Sequence, residues 1–220
     1  MPKKAANAEP RIPLSRERVL RAAIALADEG GIEALSMRKL ARELGVEAMS
    51  LYNHVANKDE ILDGIIDLVA GEVDLPAATT DWKTAIRESA ISTRDAFLRH
   101  PWASGLWIAR PGGSARLRRG DWMLRTLREA GLPKDLTYHA FHIVESQILG
   151  FTAQQENFPH KPEELAGMAE TFLQRLPVGE YPDFVDHVRQ HLEPHEWDKS
   201  GFELGLDLIL EGLERTRDTA

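Results

Sequence analysis

Residues 36–58 read SMRKLARELGVEAMSLYNHVANK, and this stretch predicts two short helices joined by a tight turn. Ser36 is a favourable N-cap, because its hydroxyl can accept a hydrogen bond from a backbone N–H that the first helical turn leaves unpaired. Gly45 can take the positive φ that ends a helix without a steric penalty on Cβ. Leu51 and Val55 are then expected to face inward. The spacing is that of a helix-turn-helix.

The second helix of this motif is expected to begin near Glu47 and to expose its early residues. A DNA major groove admits one helix, whose outer side chains can reach base edges. Asparagine can bind adenine through two hydrogen bonds, serine can bond in either direction, and alanine or methionine can touch a thymine methyl group. The sequence therefore predicts a base-reading surface made by Ala48, Met49, Ser50 and Asn53.

Helices are also predicted on both sides of this motif. Residues 15–30 carry apolar residues at helical spacing and end at a pair of glycines, so they can pack across the two short helices. Asn57 is a capping residue, and the apolar series after it predicts a fourth helix that ends near Pro76. Residues 1–14 are polar and contain prolines, and we expect a disordered arm there.

Two segments, ALSMRKLARELGV at 34–46 and SLYNHVANKDEIL at 50–62, resemble the N-terminal domain of the tetracycline-repressor (TetR) family of transcription regulators. The resemblance implies that residues 15–75 form a DNA-binding domain together with its linking helix. It also implies a double-stranded DNA operator as partner.

The same resemblance assigns contacts with the DNA backbone. Tyr52, His54 and Lys58 would contact phosphates and fix the register of the protein on DNA. Arg38 would reach a base edge or a nearby phosphate. The alternative for each of these side chains is an ordinary solvated position on the protein surface.

The net charge of −8 is unevenly distributed along the chain. Residues 1–60 hold 10 Lys and Arg against 9 Asp and Glu, whereas residues 61–220 hold 17 against 26. Attraction to phosphate needs only a local basic surface, so the acidic remainder does not exclude DNA binding. No apolar run of about 20 residues predicts a membrane span, and no apolar signal segment precedes the first helix, so we expect a cytoplasmic protein.

The remaining chain predicts helices separated by proline and glycine, with no alternating strand pattern. They are expected at about 81–100, 101–109, 114–130, 134–157, 162–176, 183–192 and 200–217. The predicted fold class is all-α, with an N-terminal three-helix helix-turn-helix domain linked by a helix to a larger helical domain at 81–220. The family resemblance makes that second domain a ligand-binding and dimerisation domain.

Two of these helices carry more apolar surface than one intrachain core explains. Leu204 and Leu208 lie on a different side of the last helix from its main stripe, which implies a second partner. Residues 148–151 and 201–214 are similar to the two dimerising helices of the family. The expected homodimer interface comprises Ile143, Ser146, Gly150, Phe202, Leu206, Ile209, Leu210 and Leu213. The alternative is that all of this surface packs within one chain.

Aromatic residues cluster in the middle of the chain, where family members enclose an inducer. The candidate ligand-binding residues are Phe97, Trp102, Trp107, Arg110, Trp122, His142, Gln147 and Phe151. Ordinary aromatic core is the alternative for each ring. Gln147 is the more specific signal, because an unpaired amide in an apolar arc costs about 1–3 kcal/mol. It needs a partner, which a small organic effector, water or a second subunit could supply.

Metal and catalytic motifs are weak in this sequence. His187, His191 and His195 have helical spacing, but Pro194 breaks the run and no glutamate base follows the zinc-protease pattern. There is no nucleophile elbow, phosphate loop or dinucleotide fingerprint. We therefore expect no metal, no cofactor and no enzyme.

The tetracycline-binding members of the family offer one informative departure. Their histidine before a small-residue-Arg-Pro turn helps to hold the drug's magnesium, but Trp107 precedes that turn here, and Ala153 and Gln154 stand where an acidic magnesium partner is expected. The sequence thus favours a metal-independent, partly aromatic ligand that releases a dimeric repressor from a palindromic operator. A helical ligand-binding or scaffold protein without DNA binding is the alternative.

Overall fold

A computed structural model describes residues 13–77, 80–157, 162–177, 179–190 and 200–219. The described residues contain helices, one 3₁₀ turn at Ile32–Ala34 and no strand, which confirms the all-α prediction. The predicted arm at 1–14 lies outside the described residues except for its last two. The helices are α1 Arg16–Gly30, α2 Met37–Leu44, α3 Ala48–Leu51, α4 Lys58–Gly71, α5 Trp82–Arg99, α6 Ala103–Ala109, α7 Ser114–Glu129, α8 Lys134–Asn157, α9 Pro162–Arg175, α10 Pro182–Gln190 and α11 Gly201–Thr219.

The first four helices pack around one apolar cluster. Helix α1 begins at Ser15, whose hydroxyl accepts a hydrogen bond from the Arg18 backbone N–H at 3.2 Å. Its buried side packs on α2 and on α4. The contact with α4 is close at Gly64, since a Cβ there would lie 2.7 Å from Cδ2 of Leu20. Glycine at this position therefore sets the distance between α1 and α4.

Helix α4 ends five residues earlier than the sequence predicts. It stops at Gly71 rather than near Pro76. The chain leaves the helix because the backbone N–H of Asp74 donates to the hydroxyl of Ser92 on α5, at 2.9 Å, instead of to a helical carbonyl. The apolar periodicity continues past the last helical residue, which is why it overestimates the helix.

Helices α5 to α11 form the remaining part of the protein, here called the body. Helix α8 packs on α5, α7 and α11, and α5 also packs on α11. The largest side chains buried between these helices include Phe97, Trp107 and Phe202. No helix in the described ranges is long and apolar enough to cross a bilayer.

The main stripe of α11 belongs to this core, which corrects half of the predicted dimer interface. Phe202, Leu206, Leu210 and Leu213 are each no more than 5% exposed within one protomer. Their side chains are covered by the protomer's own helices, so they have no surface left for a partner. The apolar periodicity of α11 correctly predicts which face is buried, but that face packs within the protomer and not against a second copy.

Candidate DNA-binding surface and ligand-binding body

The turn between α2 and α3 has the predicted geometry. The hydroxyl of Ser36 accepts from the Lys39 backbone N–H at 3.3 Å and caps α2. Gly45 ends α2 at φ +67° and ψ +34°, a left-handed conformation that favours glycine. The backbone N–H of Val46 then donates to the carbonyl of Ala41 at 3.0 Å. These bonds hold α3 at a fixed angle to α2.

The two faces of this unit differ sharply in burial. Leu40, Leu51 and Val55 are at most 2% exposed and hold the motif on α1 and α4. Met49 is 75% exposed and Tyr52 is 46% exposed. Met49 is therefore accessible for contact with a base, and Tyr52 for contact with the DNA backbone.

Helix α3 is shorter than the sequence predicts. It spans one turn, and Tyr52, Asn53 and His54 continue it as a hydrogen-bonded turn. Ala48, Ser50 and His54 are half-buried, whereas Asn53 is exposed. The candidate base-reading residues therefore differ in access to solvent, and Met49 and Asn53 are the most accessible of the four.

Two basic side chains beside this surface have no ion pair or hydrogen bond within the described part of the chain. Arg38 lies in the first turn of α2, and Lys58 is the first residue of α4. Both are exposed. Free cations at the edge of a reading helix are suited to phosphate contacts.

The acids that follow Lys58 are already engaged. Glu60 accepts hydrogen bonds from the backbone N–H of Ala56 at 2.6 Å and from Nε of Arg16 at 3.2 Å. These bonds, the backbone one foremost, lower the pKa of Glu60. Asp59 pairs with the guanidinium of Arg110. Lys58 is therefore left unneutralised by its own neighbours.

Helix α4 is held to the body by Arg110, directly after α6, and by the first turn of α7. Arg110 pairs with Asp59 and places Nε 3.2 Å from the Asp63 carboxylate. Asp67 accepts from the backbone N–H groups of Ala115 and Arg116, at 2.8 and 3.2 Å, and so binds the first turn of α7. Both ends of this contact are charge-assisted hydrogen bonds. A shift of α6 or α7 must therefore pull on α4.

A second connection joins α1 to the body. Asp28, near the end of α1, accepts a hydrogen bond from Nε1 of Trp102 at 2.7 Å. Nδ1 of His100 lies 2.8 Å from the same oxygen, and Nε2 of His100 lies 3.4 Å from Glu72. Trp102 is therefore fixed by α1 rather than pointed into the interior of the body.

The eight predicted ligand-binding residues have different surroundings, and their role in ligand binding stays a prediction. Phe97 and Trp107 pack edge to face in the core, with centroids 5.2 Å apart, and Trp122 donates to the carbonyl of Pro76. Phe151 packs on Phe202. Most of these rings are held by protein contacts, as the core alternative expected.

The three polar candidates, Arg110, Gln147 and His142, each have different surroundings. Arg110 binds α4, as described above. Gln147 donates weakly to the carbonyl of Phe202 at 3.4 Å, a partner within its own chain rather than a ligand, water or a second subunit. His142 is exposed on α8 and lines a shallow groove together with Gln147, Ile143 and Ile209.

Two features of the body were missed at the level of sequence. An open cavity of about 760 Å³ lies between the C-terminal end of α8 and helices α9 and α10. Its lining is mostly apolar: Leu165, Met168, Ala169, Phe172, Phe184 and Val188, with Gln154 and His187. The second feature is Arg119, a buried arginine on α7. It could have been found from its register, because it stands three and four residues before the buried Trp122 and Met123.

The outer sides of α8 and α11 keep exposed apolar residues. Ile143 is 45% exposed and Leu208 is 60% exposed, and Ile209 is half-buried. Ser146 and Gly150 are exposed on α8, and a Cβ at Gly150 would meet open space within the protomer. This face is hereafter called the α8–α11 face.

No group of three histidine or acidic side chains suited to a metal ion occurs among the described residues. Of the three spaced histidines, His187 lies on α10, and His191 and His195 lie outside the described residues. Trp107 donates through Nε1 to Glu145 at 3.3 Å.

Family models match almost the whole chain. The model described as Bacterial regulatory proteins, tetR family, matches residues 19–65, and the model described as Tetracyclin repressor-like, C-terminal domain, matches residues 75–217. The chain belongs to the TetR family. It is a ligand-responsive DNA-binding repressor of this family and not an enzyme, and the scaffold alternative is not favoured.

Individual TetR-family proteins are similar over most of their length. The HTH-type transcriptional repressor DrrR1 of Streptomyces coeruleorubidus is 32% identical over 217 residues, which cover 93% of this chain and 79% of DrrR1. Tetracycline repressor protein class D of Escherichia coli is 29% identical, covering 91% of this chain and 89% of that protein. The structure of ActR from Streptomyces coelicolor in complex with actinorhodin has a TM-score of 0.79 and 30% identity, covering 93% of this chain and 97% of ActR.

Proposed function

We propose that this TetR-family repressor is a homodimer that binds a palindromic operator and releases it when a small aromatic molecule enters the body. The observation that carries the DNA part is the α2–α3 unit. Buried Leu40, Leu51 and Val55 hold exposed Met49 and Asn53 outward, between the unpaired cations Arg38 and Lys58. Its target is chromosomal DNA, so it would act in the cytoplasm.

The homodimer would form through the α8–α11 face. Exposed isoleucine and leucine beside an open glycine provide an apolar surface that a second copy can cover by close helix contact. Two recognition surfaces related by a two-fold axis match two half-sites about 34–36 Å apart, one turn of DNA. The operator would therefore be a palindrome.

The link between effector and DNA would run through α4. Arg110 and Asp67 join α4 to α6 and α7, and the Asp59 that Arg110 binds directly follows Lys58 at the start of α4. An effector that favours a body conformation with α6 displaced would move α4 and change the spacing of the two recognition surfaces. Release would then require no contact between effector and DNA.

Organic effectors are supported by the similar structures, since ActR was solved with actinorhodin and with (S)-DNPA, and a tetracycline repressor variant of Acinetobacter baumannii with minocycline. For this chain the effector would bind without a metal ion, because Trp107 cannot act as a magnesium ligand. Calorimetric titration with tetracycline should show no magnesium-dependent binding. Tight binding that a chelator abolishes would refute this part of the proposal.

Selection from a random duplex library tests the proposed function directly. The purified protein should enrich a palindrome whose half-sites are centred about one helical turn apart. Candidate effectors, with actinorhodin among the first, can then be screened for release of that duplex. Failure to enrich any sequence would contradict DNA recognition by the α2–α3 unit.

A further inference from the structure

A charged group is buried in the middle of the body. The guanidinium of Arg119, on α7, has a side-chain exposure of 2%. It donates through Nη1 to Glu145 on α8 at 2.6 Å and through Nε to the hydroxyl of Thr93 on α5 at 3.1 Å. Because an arginine keeps its proton in proteins, each of its buried N–H groups needs an acceptor.

One of these groups has none in the described part of the chain. Nη2 of Arg119 is buried without a hydrogen-bond partner. The hydroxyl of Ser89, one turn before Thr93 on α5, is also buried without one. Native interiors rarely leave such groups unsatisfied, so each needs an explanation such as a ligand or a bound water.

The same cluster contains an aromatic ring and a second cation. The Trp107 ring lies 4.6 Å from the guanidinium carbon of Arg116 and 5.6 Å from that of Arg119. Glu145 is the acid that both guanidinium groups share here. Partial burial, the largest cause, lowers the pKa of Arg116, whose side chain is half-buried. Two cations therefore face one carboxylate here, one of them buried and the other half-buried.

Arg119 and Glu145 form a neutral ion pair, but unlike a fully bonded structural pair it leaves the Nη2 group of Arg119 without an acceptor in the described part of the chain. The open cavity between α8, α9 and α10 has a mostly apolar lining and gives no comparable buried charge to orient a ligand. A carboxylate beside Arg119 would supply the missing acceptor through a charge-assisted hydrogen bond.

We propose that Arg119 and Trp107 anchor the effector, and that this effector is a flat aromatic carboxylate. One carboxylate oxygen accepts from Nη2 of Arg119, and the aromatic system packs against Trp107. The proposal rests on the proposed function, whose ligand it specifies. This site is also connected to α4, because Arg116 donates through Nη1 to the carbonyl of Arg110 at 2.7 Å, and Arg110 pairs with Asp59 on α4.

The test uses two probes of the same shape, 2-naphthoic acid and its neutral amide, 2-naphthamide, titrated calorimetrically into the full-length protein at neutral pH. The wild type should bind the acid at least about tenfold more tightly than the amide, since a charged hydrogen bond to a buried group is strong. Arg119→Met should reduce the affinity for the acid to that for the amide. The double variant Arg119→Met/Glu145→Gln serves the same purpose if the single variant leaves Glu145 unpaired and does not fold.

Arg87→Met is the matched control. Arg87 is a partly buried arginine that pairs with Glu203 and Asp207 on α11, away from Trp107. This variant should keep the wild-type preference for the acid.

Three results would overturn the anchor. They are equal affinity for acid and amide, binding of neither probe, and a preference for the acid that survives the double variant. Operator binding by the same preparations separates this failure from failure of the proposed function. A protein that binds its selected palindrome and is released by neutral aromatics independently of Arg119 would be a ligand-responsive repressor without this anchor.

Discussion

The partners of individual charged side chains decide which of them remain free for DNA. Asp59 and Glu60 follow Lys58 in the sequence, and both are engaged by arginines of other segments. A charge count along the chain would treat this region as neutral or acidic. The hydrogen bonds show instead that the positive end of α4 presents an unpaired lysine.

Lys58→Ala should weaken binding to the operator and to unrelated duplexes by a similar factor, because a phosphate contact carries no sequence information. The slope of log affinity against log salt should fall by about one unit. Tyr52→Ala should also weaken both duplexes about equally. Lys83→Ala is the control, because Lys83 pairs with Glu214 on α11. A changed base preference with unchanged overall affinity would refute the assigned roles.

Glu156, near the end of α8, gives a prediction about pH. Burial raises its pKa, and the hydrogen bond from Ser104 only partly opposes this. The native state therefore favours the protonated acid, and this contribution to stability is present below pH 4.5 and is lost as pH rises through the raised pKa. Glu156→Gln should raise the melting temperature at pH 7 and have little effect near pH 4. An equal effect at both values would contradict the role of burial.

At the scale of whole elements, local signals predicted helix positions well. Caps and turns such as Ser36, Gly45 and Asn57 depend on the few residues around them, so sequence alone identified α2 and the start of α4. The length of α3 and the end of α4 were wrong. Both depend on hydrogen bonds that the apolar pattern does not contain, such as that between Asp74 and Ser92.

Contacts between elements were harder to predict. Periodicity shows which residues of α11 share a face, but not whether that face meets its own chain or a second copy. The buried Arg119 was missed because arginine is rarely fully buried unless it is paired, and its partner Glu145 is 26 residues away. Most of the aromatic candidates are buried, but burial alone does not distinguish a core ring from a ligand-binding ring.

The contact between Arg110 and α4 predicts a separation of DNA binding from induction. Arg110→Met should weaken operator binding by only about threefold, because it frees the Asp59 carboxylate beside Lys58 but leaves α2 and α3 in place. Release by an effector that releases the wild-type protein should be lost. Arg87→Met, which removes similar ion pairs between α5 and α11, should remain inducible. An Arg110→Met protein that is released normally would show that the coupling takes another path.

The α8–α11 face predicts the quaternary structure. Ile143→Glu combined with Leu208→Glu should yield folded monomers in sedimentation, because both side chains are exposed in the protomer and would be buried in the dimer. Gly150→Leu should act in the same direction. Ile108→Glu is the control: Ile108, on α6, is 71% exposed, and this variant should stay dimeric. Leu206→Asp would instead unfold the protomer, so it cannot test the interface.

At the scale of the whole molecule, charge and recognition are divided between the two parts. The N-terminal 60 residues are close to neutral with exposed cations beside α3, and the rest of the chain carries the net negative charge. An acidic body is repelled by DNA, so productive contact is favoured only through the α2–α3 surface. The division at residues 15–75 and 81–220 stays a prediction, since α4 contacts both parts.

The central claim is that this surface reads a specific DNA sequence, and an equilibrium titration tests it most directly. Fluorescence anisotropy would compare the selected palindrome with a scrambled duplex of the same composition over a series of salt concentrations. We expect affinity for the palindrome to exceed that for the scrambled duplex by at least about 10³-fold, and both affinities to fall as salt rises. Equal affinities for the two duplexes, or binding that is independent of salt, would contradict the account.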